Sequence, residues 1–98
     1  MISEKNKDLF ERLCNAMKEI IGIDAMENNR SREVVCARMI IAKILHDNFV
    51  TETDIGNLIH KNHSTVHHYL ERFNNLSYSG YEAERDMYNK FYESICLD

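Results

Sequence analysis

Proline is absent from the chain, and glycine occurs three times in 98 residues. Proline removes a backbone donor and collides with the preceding helical turn, so a chain without it ends its helices only through capping and turn residues. Apolar side chains recur three and four apart along most of the sequence, and no segment shows the two-residue alternation of a half-buried strand. These features predict an all-α fold of about five helices joined by short polar turns. Leu9, Phe10, Leu13, Met17, Ile20 and Ile21 share one face of a first helix, about Lys5 to Ile21, which Gly22 can close with a left-handed cap. Asn28 and Asn29 precede a second helix, about Arg30 to His46, with Val34, Ala37, Ile41, Ile44 and Leu45 inward and Arg32, Glu33 and Lys43 outward.

Thr51 followed by Asp54 is a variant capping box for a short third helix, which carries Ile55, Leu58 and Ile59 inward and stops by about His60. Asn62 suits the N-cap of a fourth helix reaching about Asn75. Its Val66, Tyr69, Leu70 and Phe73 form an apolar stripe, leaving Ser64, His67, His68 and Glu71 on the opposite face. Ser77 to Gly80 reads as a polar linker. Ser79 with Glu82 then opens a last helix whose Tyr81, Tyr88, Phe91, Tyr92 and Ile95 share a face and close the bundle.

The length suits a single domain, residues 1–98, because a second core would leave too few residues for each. No stretch approaches the roughly 18 consecutive apolar residues of a membrane span. The charged start, Met1 to Phe10, has no apolar signal core. The expected compartment is therefore the cytoplasm, with no membrane partner. Cys14, Cys36 and Cys96 are odd in number, widely spaced and set among apolar residues, which fits reduced core thiols. They have no partner implying nucleophilic activation, no catalytic acid pair stands out, and the expectation is a protein that is not an enzyme and needs no cofactor. His63 and His67 lie four apart, as two zinc ligands would, but Ser64 stands where His-Glu-x-x-His has its glutamate, and exposed polar histidines are the better account.

A net charge of −4 argues against a polyanionic partner. Its distribution softens the objection, since residues 1–29 carry −2, residues 30–76 carry +1 and residues 77–98 carry −3. The third and fourth helices meet at a turn of about three residues, the geometry that lays a second helix into the major groove of DNA. Asn62 can face adenine with donor and acceptor together, Ser64 and Thr65 can bond base edges or phosphate, and the Thr65 methyl can touch a thymine methyl. Lys61 and the unpaired N–H groups of the helix start suit phosphate.

Arg30-Ser31-Arg32-Glu33-Val34-Val35-Cys36-Ala37-Arg38, then Asp54-Ile55-Gly56-Asn57-Leu58 and Lys61-Asn62-His63-Ser64-Thr65-Val66, resemble in order and near-correct spacing the C-terminal DNA-binding domain of the bacterial replication initiator DnaA. The resemblance is strongest from Arg30 to Leu76 and implies an initiator-like, Trp-repressor-like helix-turn-helix core at 30–76. It implies that Lys61, Asn62, His63, Ser64 and Thr65 touch bases and phosphates. Arg32 matches the family's position reaching the adjacent minor groove, Arg30 and Arg38 match basic positions near the backbone, and Gly56 matches a glycine that permits close helix approach. Asn62 and Lys61 stand where the family has aspartate and arginine, and Ile59 and His60 replace a glycine pair, so the turn and the sequence preference should differ. The initiator's Gly-x-x-x-x-Gly-Lys-[Ser/Thr] loop is missing. What remains is a stand-alone DNA-binding relative, a regulator or a mobile-element protein of bacterial or phage type.

The DNA-binding set is thus Arg30, Arg32, Arg38, Lys61, Asn62, His63, Ser64, Thr65 and His68. A second reading pairs the arginines with acids such as Glu33 on the helix surface. For Glu71 and Arg72 a solvated helix face is the expectation. The tyrosine stripe of the last helix suits a core or a homodimer contact. The competing function is a protein-interaction module, in which the same scaffold docks a replication or regulatory protein.

Overall fold

The computed structural model describes residues 3–27, 31–75 and 82–95, and within them the chain is all-α. Helix α1 spans Glu4–Ala16 and runs on into a π-helical turn, Met17–Ile21. Helices α2 (Arg32–Asp47), α3 (Glu52–Ile59), α4 (His63–Asn74) and α5 (Glu82–Ile95) follow. No described helix is long and apolar enough to cross a membrane.

Local chemistry sets these boundaries. The Ser3 hydroxyl accepts from the Asn6 amide at 3.1 Å and starts α1. Gly22 takes φ 86° and ends the π turn as anticipated, with its N–H donating to the Met17 carbonyl five residues back at 3.0 Å. That widening replaces the regular last turn expected to Ile21. The second helix opens at Ser31, whose hydroxyl accepts from the Val34 amide at 3.3 Å. The asparagines proposed as its start, Asn28 and Asn29, lie outside the described residues, as does Arg30.

Helix α2 is the axis of the domain. Its expected inward residues are buried, and so are Cys36, Met39, Ile40 and Ala42, because α1, α3 and α4 pack around it. A helix apolar on nearly all sides is a buried helix, and a stripe reading of α2 captured only part of that surface. Leu13 and Met17 come from the first helix and the π turn, Ile55, Leu58 and Ile59 from α3, Val66 from α4 and Phe91 from α5, completing one core. On α5, Tyr88 meets Phe73 of α4 edge-on at 4.7 Å, which fastens that helix over the bundle. Tyr92, expected on the same inward face, is half exposed. The proposed Ser79 cap and Tyr81 lie outside the described residues.

Candidate nucleic-acid interface

Helices α3 and α4 are joined by His60, Lys61 and Asn62, a three-residue turn. Thr51 caps α3 as its sequence proposed, accepting from the Asp54 amide at 3.1 Å. At the other end His60 adopts the left-handed conformation, φ 59° and ψ 42°, and the Lys61 amide returns to the Gly56 carbonyl at 2.9 Å. A non-glycine residue in this region is uncommon, and here a histidine occupies it. The turn folds back tightly enough that a Cβ on Gly56 would sit 2.6 Å from the Lys61 carbonyl oxygen. The missing side chain at position 56 is therefore what allows this approach.

Asn62 caps α4. Its Oδ1 accepts from the Thr65 amide at 2.9 Å and from the Thr65 hydroxyl at 3.2 Å. The amide oxygen is thus engaged twice within the protein, and a paired contact with adenine would have to displace at least one of these bonds. The N-cap role expected of Asn62 is observed, and a contact with adenine would have to compete with it. The second bond engages the Thr65 hydroxyl, and Thr65 is half-buried. Lys61, His63, Ser64 and His68 are exposed, with Lys61 in the turn and the others along the outward side of α4.

That outward side carries acids as well. His67 lies between two carboxylates, with Nδ1 3.4 Å from Glu52 Oε1 of α3 and Nε2 3.2 Å from Glu71 Oε1 one turn on. His68 Nδ1 is 3.9 Å from the other Glu71 oxygen. Glu71, anticipated as a solvated residue, thus organises the two histidines and places negative charge midway along the face. Of the two carboxylates beside His67, Glu71 is on its own helix and only Glu52, on α3, is a neighbour that local spacing does not give.

The three arginines fare differently. Arg38 is 7% exposed, and its Nε and Nη2 donate to the Ala25 and Glu27 carbonyls at 2.7 and 2.5 Å. It ties the segment after the π turn to α2 and cannot reach a phosphate, so its assignment as a backbone contact is corrected. The pairing with Glu33 proposed as its alternative is not what the structure contains either. Arg32 has an exposed side chain, but its Nε donates to Glu84 Oε1 at 2.5 Å, a partner 52 residues away on α5. A minor-groove contact by Arg32 would require breaking that bridge. Arg30 lies outside the described residues.

Two features had no usable sequence signal. Phe49, between α2 and α3, has φ 66° and is 95% exposed. The turn demands a left-handed residue there because the Val50 amide reaches back to the Leu45 carbonyl at 3.1 Å, a helix-ending pattern that glycine or asparagine usually serves. With His46, Thr53 and His63 it borders an open cleft at the foot of α4. Glu84 is 3% exposed, and the guanidinium of Arg32 beside it holds its carboxyl below the usual range against the opposing effect of burial.

Burial pushes the Cys14 and Cys36 thiols up to about 11, which keeps both protonated near neutrality and agrees with core thiols. No group of three or more histidine, cysteine or acidic side chains among the described residues could hold a metal ion. No family model, curated protein or solved structure matches the chain.

Proposed function

We propose that this protein binds double-stranded DNA through the helix-turn-helix formed by α3 and α4. On this reading it is a stand-alone regulatory relative of the replication-initiator DNA-binding domain, acting in the cytoplasm of a bacterial or phage-infected cell. The observation that carries the reading is the three-residue turn, closed by Gly56 and His60. It delivers a capped helix start with Lys61, His63 and Ser64 exposed together. In this geometry α4 enters the major groove and α3 lies across the backbone. Lys61 contacts phosphate, His63, Ser64 and His68 meet base edges, and Asn62 holds the frame that positions them. Glu52 and Glu71 oppose the polyanion, so the affinity of one copy is modest and gains from a homodimer or a partner protein, which multiplies effective concentration.

The test is fluorescence anisotropy with a labelled duplex carrying an initiator-type box and a scrambled duplex, each at two salt concentrations. Salt-sensitive binding that prefers the box supports the proposal, and alanine at Lys61, His63 and Ser64 should remove it while the fold is retained. Absence of binding to either duplex at low salt defeats it.

A protein-interaction module is the second reading, and Phe49 favours it. An aromatic ring almost wholly in solvent, held in a backbone conformation that disfavours it, stands beside His63 at the foot of α4. An interface anchored on such a ring would change less with salt than contacts to several phosphates, which weaken steeply.

A further inference from the structure

Glu84 is buried in the first turn of α5, and only half of its carboxylate is satisfied. Oε1 accepts from Arg32 Nε at 2.5 Å, while Oε2 is buried without a hydrogen-bond partner. Buried acceptors are almost always paired, so this carboxylate is imperfectly matched to the donors around it. Beside it lies a cavity of about 210 Å³, lined by Arg32, Val35, Cys36 and Met39 of α2, Arg72 of α4 and Glu84 itself. Three helices therefore bring two guanidinium groups and one carboxylate to a single opening. Guanidinium groups match the planar spread of acceptor oxygens on carboxylates and phosphates alike.

We propose that Arg32 and Arg72 form a phosphate-binding site at the α2–α4 edge, and that Glu84 of α5 occupies it as an internal substitute for the anion. A phosphate entering from the cavity side can present separate oxygens to Arg32 and Arg72, which both line the cavity. The phosphate is that of a DNA backbone or inorganic phosphate in solution. The DNA source rests on the function proposed above, and the free anion does not. Under the DNA source, α5 restrains binding by holding Arg32 with Glu84, and α4 would gain a phosphate contact near its C-terminal end when the substitute is removed.

The experiment compares the wild type with Glu84→Gln and with the double variant Glu84→Gln, Arg32→Ala. Each is measured by anisotropy on a labelled duplex across a salt series, and by thermal unfolding in inorganic phosphate against chloride at matched ionic strength. Glu84→Gln should bind the duplex about tenfold tighter at low salt, as expected for a gained charge-assisted contact. Its slope of log affinity on log salt should steepen by about 0.9 for each phosphate gained. Its melting temperature should rise in phosphate, whereas that of the wild type should not. The double variant should lose both gains. A Glu84→Gln protein of unchanged helical content that shows neither gain overturns the proposal. If no variant binds duplex but phosphate still raises the melting temperature of Glu84→Gln, the DNA reading fails and the anion site stands. Should Glu84→Gln not fold, Glu84→Asp retracts the carboxylate by one methylene and should show both gains in smaller measure, and its failure to show either is equally decisive against the site.

Discussion

Replacing Gly56 with alanine sets two effects of known sign against each other. Alanine is the better helix former by about 1 kcal/mol, so an exposed helical glycine would be stabilised by the change. At position 56 the new methyl would lie 2.6 Å from the Lys61 carbonyl oxygen, whereas ordinary contacts begin near 3.4 Å. About 0.8 Å of separation must therefore be found, and the obstructing atom is backbone in a three-residue turn rather than the end of a flexible side chain. The Lys61 amide is itself bonded to the Gly56 carbonyl at 2.9 Å, so the turn cannot swing away without losing that bond. Overpacking of this kind costs about 1–3 kcal/mol, and a lost hydrogen bond adds about 1 kcal/mol. After subtracting the propensity gain, Gly56→Ala should destabilise the protein by about 2 kcal/mol. For a domain of this length that lowers the melting temperature by about 8–16 °C. Calorimetry or urea unfolding measures it, with Asn57→Ala on the exposed side of the same helix as the control. Because the displaced atoms carry Lys61 and Asn62, duplex affinity measured well below the melting temperature should fall as well. A Gly56→Ala protein as stable as the wild type or more so would refute the reasoning, since propensity would then have outweighed a contact that the turn could relieve without strain.

Arg38→Met should destabilise by about 3 kcal/mol in urea unfolding, because two charge-assisted bonds to carbonyls are removed from a largely buried site. Its effect on DNA affinity should vanish once measured at full folding, and a selective loss of binding would contradict the assignment. Phe49→Asn should raise stability by about 1 kcal/mol, since asparagine tolerates the left-handed region and the exposed ring contributes little packing. A stability loss of similar size would show that the ring is packed in solution. The Glu84 carboxyl is held below its ordinary value of 4.5 by Arg32, so its contribution is complete above that value and disappears as pH falls through the lowered one. Between pH 7 and pH 3 the wild type should therefore lose more melting temperature than Glu84→Gln, and equal losses would mean that the bridge adds no pH-dependent stability.

Periodicity made the helices legible because each one places an apolar stripe on a shared core, and the caps were legible because Thr51 and Asn62 act within four residues of themselves. The same locality explains the failures. Arg38 looked like a surface cation because nothing nearby in sequence says that the Ala25 and Glu27 carbonyls will turn toward it. Arg32 finds its partner 52 residues away, and Glu84 belongs to a helix whose stripe gives no reason to bury an acid. The exposure of Lys61, His63 and Ser64 at the start of α4 was legible, but which of the candidate residues hold the fold together was not. Whether an asparagine reads a base or holds a helix depends on where its oxygen points, and that follows from the turn before it.

The cap at position 62 also limits how the proposed interface can diversify. Because the same amide oxygen closes α4 and fixes the Thr65 hydroxyl, substitutions there are screened first for folding. Only aspartate, serine, threonine and glycine come close to asparagine as helix starters. If α4 reads DNA as proposed, a change in sequence preference that keeps the protein stable must therefore arise at exposed neighbours outside the cap, such as Ser64 and His68. On that reading, the position that looks most like a letter of the recognition code is the hinge pin of the page, and the writing is done on either side of it.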